Sequence, residues 1–322
     1  MVAWAVLEAN AVILRRTHDE EALRVEIRPQ ESDSWRVEES LKSGRWKRGG
    51  PLSASQEYVL GTHDEEAQRL GLQHQAWRED ALRGWRTAGF GPGATVLDVG
   101  CGPGYAAMDL AELVGPSGRV IAVDKSDRFL GLLKERARER HLNNVMVHRA
   151  DLEAGEFPEN VMADGAWLRW VLAFVKNPKA VLAEVTRALG RRGAIVIHEY
   201  FDYGTWRGLP RFPELEEFVT TVKKSWRENG GEPDIALSLP QWLEELGFEV
   251  QLRPIIGVAQ QGSLKWEWMS TFLRIGRDRL VELGFLTKAQ AEELQRAFSS
   301  FQQEPGARLI TPGVLEVVAR RR

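Results

Sequence analysis

Three glycines stand at alternate positions, Gly100, Gly102 and Gly104, directly behind an apolar run, so that the segment reads VLDVGCGPGY. Glycine at such a turn lets backbone N–H groups approach a ligand at the start of the helix that follows. The pattern alone also suits dinucleotides, because GPGYAA over residues 102–107 fits their spacing with alanine last. Three acids narrow the chemistry. Asp98 precedes the glycines by two residues, and a carboxylate there repels pyrophosphate and favours a cation. Asp124 ends VIAVD, where it can accept hydrogen bonds from both hydroxyls of a ribose. Asp151 stands in RADL, where a carboxylate can take an adenine amino group. Together they describe a ligand with a sugar, an adenine and positive charge, and no phosphate.

Acids on one edge require strands that run the same way. ATVLDV, RVIAVD, NVMVHRAD, ADGAWLRW and AIVIHEY read as strands, alternating with helical segments. YAAMDLAELVG is a helix ended by Gly115 and Pro116, and DRFLGLLKERARERHL places Phe129, Leu133 and Ala137 on one face. NPKAVLAEVTRALG has Asn177 as N-cap and Pro178 at its first position. This alternation predicts an α/β fold with a doubly wound, mostly parallel sheet and helices on both faces. FEVQLRPIIGV and VLEVVAR bring the strands to seven, with SLPQWLEELG before them as a short helix whose capping box is Ser238 and Gln241. Helical insertions are expected at 203–232 and 262–304; the second carries Trp266, Trp268, Met269 and Phe272, then a capping box at Thr287 and Gln290. Ahead of the first strand, a helix from Thr62 repeats Leu70, Gln73, His74 and Trp77 at helical spacing.

Residues 1–50 differ, with short strand-like runs AVILRR, ALRVEIR and SWRVEE that suggest a β-rich appendage serving packing or dimerisation. RWKRGGPLSASQ reads as a linker, and residues 51–322 as the main domain. A homodimer is one assembly this predicts. The 43 basic and 46 acidic residues nearly balance, which disfavours nucleic acid as a partner. Cys101 is the one cysteine, so no internal disulfide forms and a reducing compartment is expected. MVAWAVLEANAVILRR is interrupted by Glu8 and lacks a basic leader, making a poor signal peptide and too short a membrane span. The expectation is a cytoplasmic protein with no membrane partner.

VLDVGCGPG, VIAVD, HRADL and the run DGAWLRWVLAFVKNPKAVLAEVTRALGRRGAIVIHEY resemble the ordered motifs of class I S-adenosylmethionine-dependent methyltransferases, and among them the bacterial small-molecule enzymes. The likeness covers residues 56–202, is specific for the cofactor and says little about the substrate. It implies that Gly100, Gly102 and Gly104 approach the methionine part of S-adenosyl-L-methionine. It also implies that Asp124 holds the ribose, that Asp151 with Leu152 meets the adenine, and that Arg169 lies near the cofactor. YVLG and the helix after it resemble the family's N-terminal lid, which puts Tyr58, Arg69 and Gln73 near the cofactor; for the last two an ordinary polar helix face is the alternative.

Several mechanisms are disfavoured. Cys101 lies inside the glycine loop, where a small packed side chain is expected, so covalent cysteine catalysis is not. LRWVL replaces the Asn/Asp-Pro-Pro-aromatic motif of enzymes that methylate base amines. Arg169, Trp170, Glu199 and Asp202 stand where metal-dependent relatives keep carboxylates and an Asp-Asn pair, so no metal is expected. Ala173 occupies the place of a basic histidine used by plant-type enzymes. Holding acceptor and methyl in line supplies up to roughly 7–11 kcal/mol, and a general base adds about 10²–10⁴-fold. His198, near the end of the fifth strand, is the base candidate, with packing under the sheet rim as the alternative; His63 and His74 are weaker base candidates, more often solvated than catalytic. Trp170, Glu199 and Trp268 are expected at the substrate, the late aromatic stripe being either a pocket roof or plain core. The function this supports is methyl transfer to a small molecule, on oxygen first. The alternatives are a non-methylating enzyme of this fold and a methyltransferase acting on a macromolecule.

Overall fold

The computed structural model describes residues 64–322 and, before them, only the backbone of five short strands: β1 (Ala5–Glu8), β2 (Ala11–Leu14), β3 (Leu23–Pro29), β4 (Trp35–Ser40) and β5 (Trp46–Lys47). These pair in chain order as an antiparallel sheet. Tyr58, His63 and the linker lie outside the described residues.

From Asp64 onward the expected alternation is present. Helix α1 (Asp64–Ala88) leads to β6 (Thr95–Val99), α2 (Tyr105–Val114), β7 (Arg119–Asp124), α3 (Asp127–Glu139) and β8 (Val145–Arg149). Then come β9 (Ala163–Arg169), α4 (Pro178–Arg187) and β10 (Leu189–Asp202). The excursion β11 (Arg207–Leu209) and α5 (Pro213–Glu228) is followed by α6 (Leu239–Glu245) and β12 (Phe248–Ile255). The chain continues through β13 (Val258–Gln260), α7 (Leu264–Glu282), α8 (Lys288–Phe301), β14 (Arg308–Ile310) and β15 (Gly313–Arg321). Seven strands make one sheet in the order β12-β15-β10-β9-β6-β7-β8, parallel except for β15, which runs antiparallel to both β10 and β12. This is the Rossmann-like arrangement predicted from the sequence.

Both faces of the sheet are covered, which is why its strands read as nearly unbroken apolar runs. On one face Leu97, Leu168, Ile197 and Val317 pack against Val181, Leu182 and Val185 of α4 and Leu239 and Leu243 of α6. On the other, Val96, Trp167, Val196 and Val318 meet Ala81 and Trp85 of α1 and Ala107, Leu110 and Ala111 of α2. Trp85 and Trp167 sit edge to face at 5.3 Å, a pairing worth about 0.5–1.5 kcal/mol beyond its burial. A third cluster is aromatic and lies at the carboxyl edge: Trp77, Trp170, Tyr200, Tyr203, Trp206 and Trp268 pack with residues of α5, α7 and α8.

Local signals mostly hold. Asn177 accepts from the Ala180 N–H at 3.1 Å with Pro178 next to it, and Thr287 and Gln290 form a reciprocal capping box. The Ser238 box does not form. A 3-10 turn over Ile235–Leu237 runs straight into α6, leaving Ser238 in helical backbone with no side-chain cap. The three-residue strands β11, β14 and β13 add a small sheet that the sequence does not announce. Among the described residues no helix is long and apolar enough to cross a membrane.

Candidate active site

The site begins with the glycine turn between β6 and α2. Gly100, Gly102 and Gly104 take φ values of 68°, 53° and 84°, a region where side-chain-bearing residues are strained. The turn is pinned to β7: the Gly100 and Cys101 N–H groups donate to the Val123 carbonyl at 2.8 and 3.0 Å, and the Gly102 N–H to Asp124 Oδ2 at 2.8 Å. Asp124 Oδ1 accepts from the Ser126 N–H at 2.8 Å. Burial raises the Asp124 carboxyl against backbone bonds from Ser126, Gly102 and Lys125 and the Lys125 charge. Cys101 is buried, and that burial pushes its thiol up. Asp151 caps the 3-10 turn Leu152–Ala154, accepting from the Glu153 N–H at 3.0 Å, with Leu152 half-buried beside it.

Asp98 and Arg169 close the α1 side. Asp98 is 2% exposed, and its Oδ2 has no protein partner. Burial pushes its carboxyl up to about 7, opposed by the positive charge of Arg169. Arg169 Nη1 is equally closed off and unpartnered, and burial brings this guanidinium down to about 10. Nη2 is held 2.9 Å from His74 Nδ1, while the guanidinium lies over the rings of Trp167 and Trp170 at 5.5 and 5.3 Å. Two orphaned polar atoms of opposite charge beside a glycine cradle fit a ligand that carries both signs.

After Arg169 the chain turns sharply. Trp170 has φ 51°, a strain of about 1–3 kcal/mol that persists only where the surroundings over-determine it. They do so here. The Trp170 N–H donates to the His198 carbonyl at 3.1 Å, and the next two, from Val171 and Leu172, both reach Glu199 Oε1 at 2.7 Å. The turn aims the Trp170 ring into the aromatic cluster, stacked on Tyr200 at 5.4 Å and on Trp268 at 5.9 Å, with Trp77 edge-on at 5.6 Å. Trp268 donates its indole N–H to Gln73 Oε1 at 3.1 Å, and Arg69 binds Glu66 through two bonds of 2.6 and 2.7 Å. Gln73 therefore joins α1 to α7, and the Arg69 guanidinium lies over the Phe272 ring of α7 at 5.7 Å.

Two expectations need correction. Glu199 does not join Trp170 and Trp268 at a substrate: it is fully buried, and its carboxylate faces backbone N–H groups, burial pushing it up to about 8 against those bonds. His198 is also 0% exposed, with Nε2 at 3.0 Å from Glu316 Oε2 and the Trp167 ring packed on it at 4.8 Å. Burial lowers its imidazole despite the Glu316 bond. His198 belongs instead to a charged rung across the sheet: Arg169, His198, Glu316 and Arg253 are register partners on β9, β10, β15 and β12. Arg253 grips Glu316 through bonds of 2.7 and 2.9 Å and Asp80 of α1 at 3.1 Å. His74, expected in solvent, is 5% exposed and bonded at both nitrogens. Its partner Asp109 escaped the sequence reading, although an acid in the apolar helix YAAMDLAELV was a visible signal. Among the described residues no group of three or more His, Cys, Asp or Glu is placed to hold a metal.

A family model described as a methyltransferase domain matches residues 91–260, and the chain belongs to that family. With this sheet order, the chain is a class I S-adenosylmethionine-dependent methyltransferase, and S-adenosylmethionine is the cofactor of that family. It is 30% identical over 206 residues to the demethylmenaquinone methyltransferase of Geobacillus kaustophilus, covering 58% of this chain and 84% of that one. With the enzyme of the same name from Geobacillus sp. strain WCH70 it shares 32% over 127 residues, 39% of this chain and 53% of the other. Of several curated relatives it matches, the chain spans between 34% and 59% of their length. A solved structure from Bacillus halodurans C-125 aligns over 76% of this chain and 99% of its own, at 16% identity and a TM-score of 0.52, which shows the shared fold.

Proposed function

We propose that this protein transfers the methyl group of S-adenosylmethionine to a small aromatic molecule bearing a phenol-type hydroxyl, with methylation on oxygen. S-adenosylmethionine supplies a methyl group carried on positively charged sulfur. Asp98 Oδ2 meets the ammonium of its amino-acid end, and Arg169 Nη1 donates to the carboxylate. Asp124 accepts from the ribose, Asp151 with Leu152 borders the adenine, and Gly100, Gly102 and Gly104 let the backbone come close. Tyr58 is proposed to cover the cofactor from the lid.

The observation that carries the reading is the pair of orphaned buried atoms, Asp98 Oδ2 and Arg169 Nη1, next to an aromatic wall that Trp170 joins directly to Arg169. The buried aromatic cluster of Trp77, Trp170, Tyr200 and Trp268 beside Arg169 suits a flat apolar acceptor and excludes water. His198 is buried against Glu316 and both nitrogens of His74 are committed, so neither of these imidazoles is open to take a proton, which suits a hydroxyl that ionises more readily than an alcohol. Positioning in line then carries most of the acceleration. The lone cysteine supports a cytoplasmic setting. Relatives named demethylmenaquinone and 2-phytyl-1,4-naphtoquinone methyltransferase support a second reading, in which a ring carbon of a quinol-type acceptor takes the methyl.

The test offers a panel of hydroxylated naphthalenes with S-adenosylmethionine labelled in its methyl carbon and reads the products by NMR. A methoxy signal supports the first reading and an aryl-methyl signal the second. Cofactor binding with no label on any aromatic acceptor refutes both.

A further inference from the structure

His74 does more than fill the space under α1. Its Nε2 lies 3.0 Å from Asp109 Oδ2 and its Nδ1 2.9 Å from Arg169 Nη2. A guanidinium has donors only, so Nδ1 must accept, and the imidazole proton therefore sits on Nε2 and is given to Asp109. Asp109 is anchored in turn, taking Arg78 Nε at 2.6 Å. Burial would raise the Asp109 carboxyl, but the bonds from His74 and Arg78 outweigh it and hold the group below its ordinary range. Burial lowers the His74 imidazole, outweighing the raising effect of the Asp109 bond, and keeps Nδ1 unprotonated.

We propose that His74 is a positioning residue for the cofactor site: the relay Asp109–His74–Arg169 fixes the rotation of the Arg169 guanidinium so that Nη1 faces the carboxylate of the bound amino acid. The proposal rests on the reading that Arg169 meets the cofactor. Cation–π contacts with Trp167 and Trp170 at 5.5 and 5.3 Å hold the guanidinium near the rings but offer no acceptor to fix its rotation. One hydrogen bond to a ring nitrogen removes that freedom. The relay spans α2, α1 and β9, so the helix that opens at the glycine turn and the strand that carries Arg169 are locked to each other through α1. A protonated His74 would set N–H against N–H and break it.

The measurement is calorimetric binding of S-adenosylhomocysteine, the demethylated product, which has the same amino-acid end and needs no turnover. Wild type is compared with His74→Phe, His74→Asn and Arg169→Met, each checked for folding by thermal unfolding. His74→Phe should weaken binding about 10-fold, the scale of re-imposing order on a long side chain. His74→Asn places an amide oxygen where Nδ1 was and should recover affinity to within about threefold, consistent with a restored acceptor. Arg169→Met should lose at least as much as His74→Phe. Normal affinity in folded His74→Phe, with Arg169→Met weakened, overturns the relay. Normal affinity in Arg169→Met overturns the reading of the site instead. If His74→Phe does not fold, the ¹⁵N spectrum of wild-type His74, assigned against His74→Asn, decides: an unprotonated Nδ1 that shifts on adding S-adenosylhomocysteine supports the relay, and an Nδ1–H tautomer or an imidazolium overturns it.

Discussion

Gly100→Ala separates two costs that the glycine turn avoids. The residue sits at φ 68°, and a Cβ there would lie 2.4 Å from Val171 Cγ2, 3.2 Å from Cγ1 and 3.4 Å from the valine Cβ. The left-handed backbone costs an alanine about 1–2 kcal/mol, and overpacking adds about 1–3 kcal/mol. The sum, about 2–5 kcal/mol, is a large fraction of the roughly 5–15 kcal/mol that holds a domain folded. Val171→Ala removes both Cγ atoms and leaves the Cβ contact at 3.4 Å, an ordinary approach, so the second cost vanishes while the first remains. Urea unfolding of wild type, both single variants and the double variant closes a thermodynamic cycle. The double variant should be more stable than the sum of the singles implies, by about 1–3 kcal/mol, well above the ~0.5 kcal/mol expected of independent sites. A coupling indistinguishable from zero, or a Gly100→Ala protein of wild-type stability, would refute the close approach of the loop after β9 to the glycine turn.

Asp98 should make cofactor affinity depend on pH. Its carboxyl is raised to about 7, and a cationic ligand needs the ionised form, so affinity climbs as pH rises to that value and levels off above it. Asp98→Asn should flatten the calorimetric profile, and a flat wild-type profile contradicts the assignment. Burial raises the Glu316 carboxyl, but its bonds with Arg253 and His198 overcome this and hold it at about 2. Its stabilisation is therefore complete above its ordinary value of 4.5 and is lost as pH falls through about 2. Glu316→Gln should cost about 3 kcal/mol at neutral pH, in a gap that closes in strong acid; a gap that persists there points to lost packing instead. His198→Gln should lower stability by about 1–3 kcal/mol with turnover nearly kept, whereas a loss of about 10²–10⁴-fold in a folded variant would restore it as a base. Asp124→Ala should weaken cofactor binding by about 1.5–3 kcal/mol, and an unchanged dissociation constant would mean that the ribose is held elsewhere.

The sheet and the glycine turn were legible because their constraints are local. Only glycine sits easily at three positive φ values in five residues, and an unbroken run such as RVIAVD has few alternatives to a buried parallel strand. Arg169 was placed correctly at the end of β9 for the same reason. Its partner was not legible: His74 lies 95 residues away on another element, and nothing in a helical repeat says whether its polar member meets solvent or a guanidinium. His198 failed through a neighbour. Strand direction brought it to the carboxyl edge, but β15 runs back beside β10 and delivers Glu316 to it from 118 residues downstream. Glu199 is one residue further and points to the opposite face, where the turn after β9 presents its N–H groups. Strands of three residues, as in the β11-β14-β13 sheet, are too short to show an alternation at all.

The charged rung Arg169–His198–Glu316–Arg253 also bears on how the chain acquires its shape during synthesis. β15 lies between β10 and β12 in the sheet, yet it is made after both. Until it arrives, β12 has no partner and β10 exposes one unpaired edge, while Arg253 and His198 wait for the carboxylate between them. A nascent chain can assemble β6 to β10 early, from contacts close in sequence, but pairings that span more than a hundred residues come late and slowly. The half-built sheet, with its apolar edge open on the ribosome, is the species a chaperone would recognise. Insertion of β15, the last of the seven strands to be made, then completes the sheet and sets the Glu316 carboxylate between His198 and Arg253 in the same step.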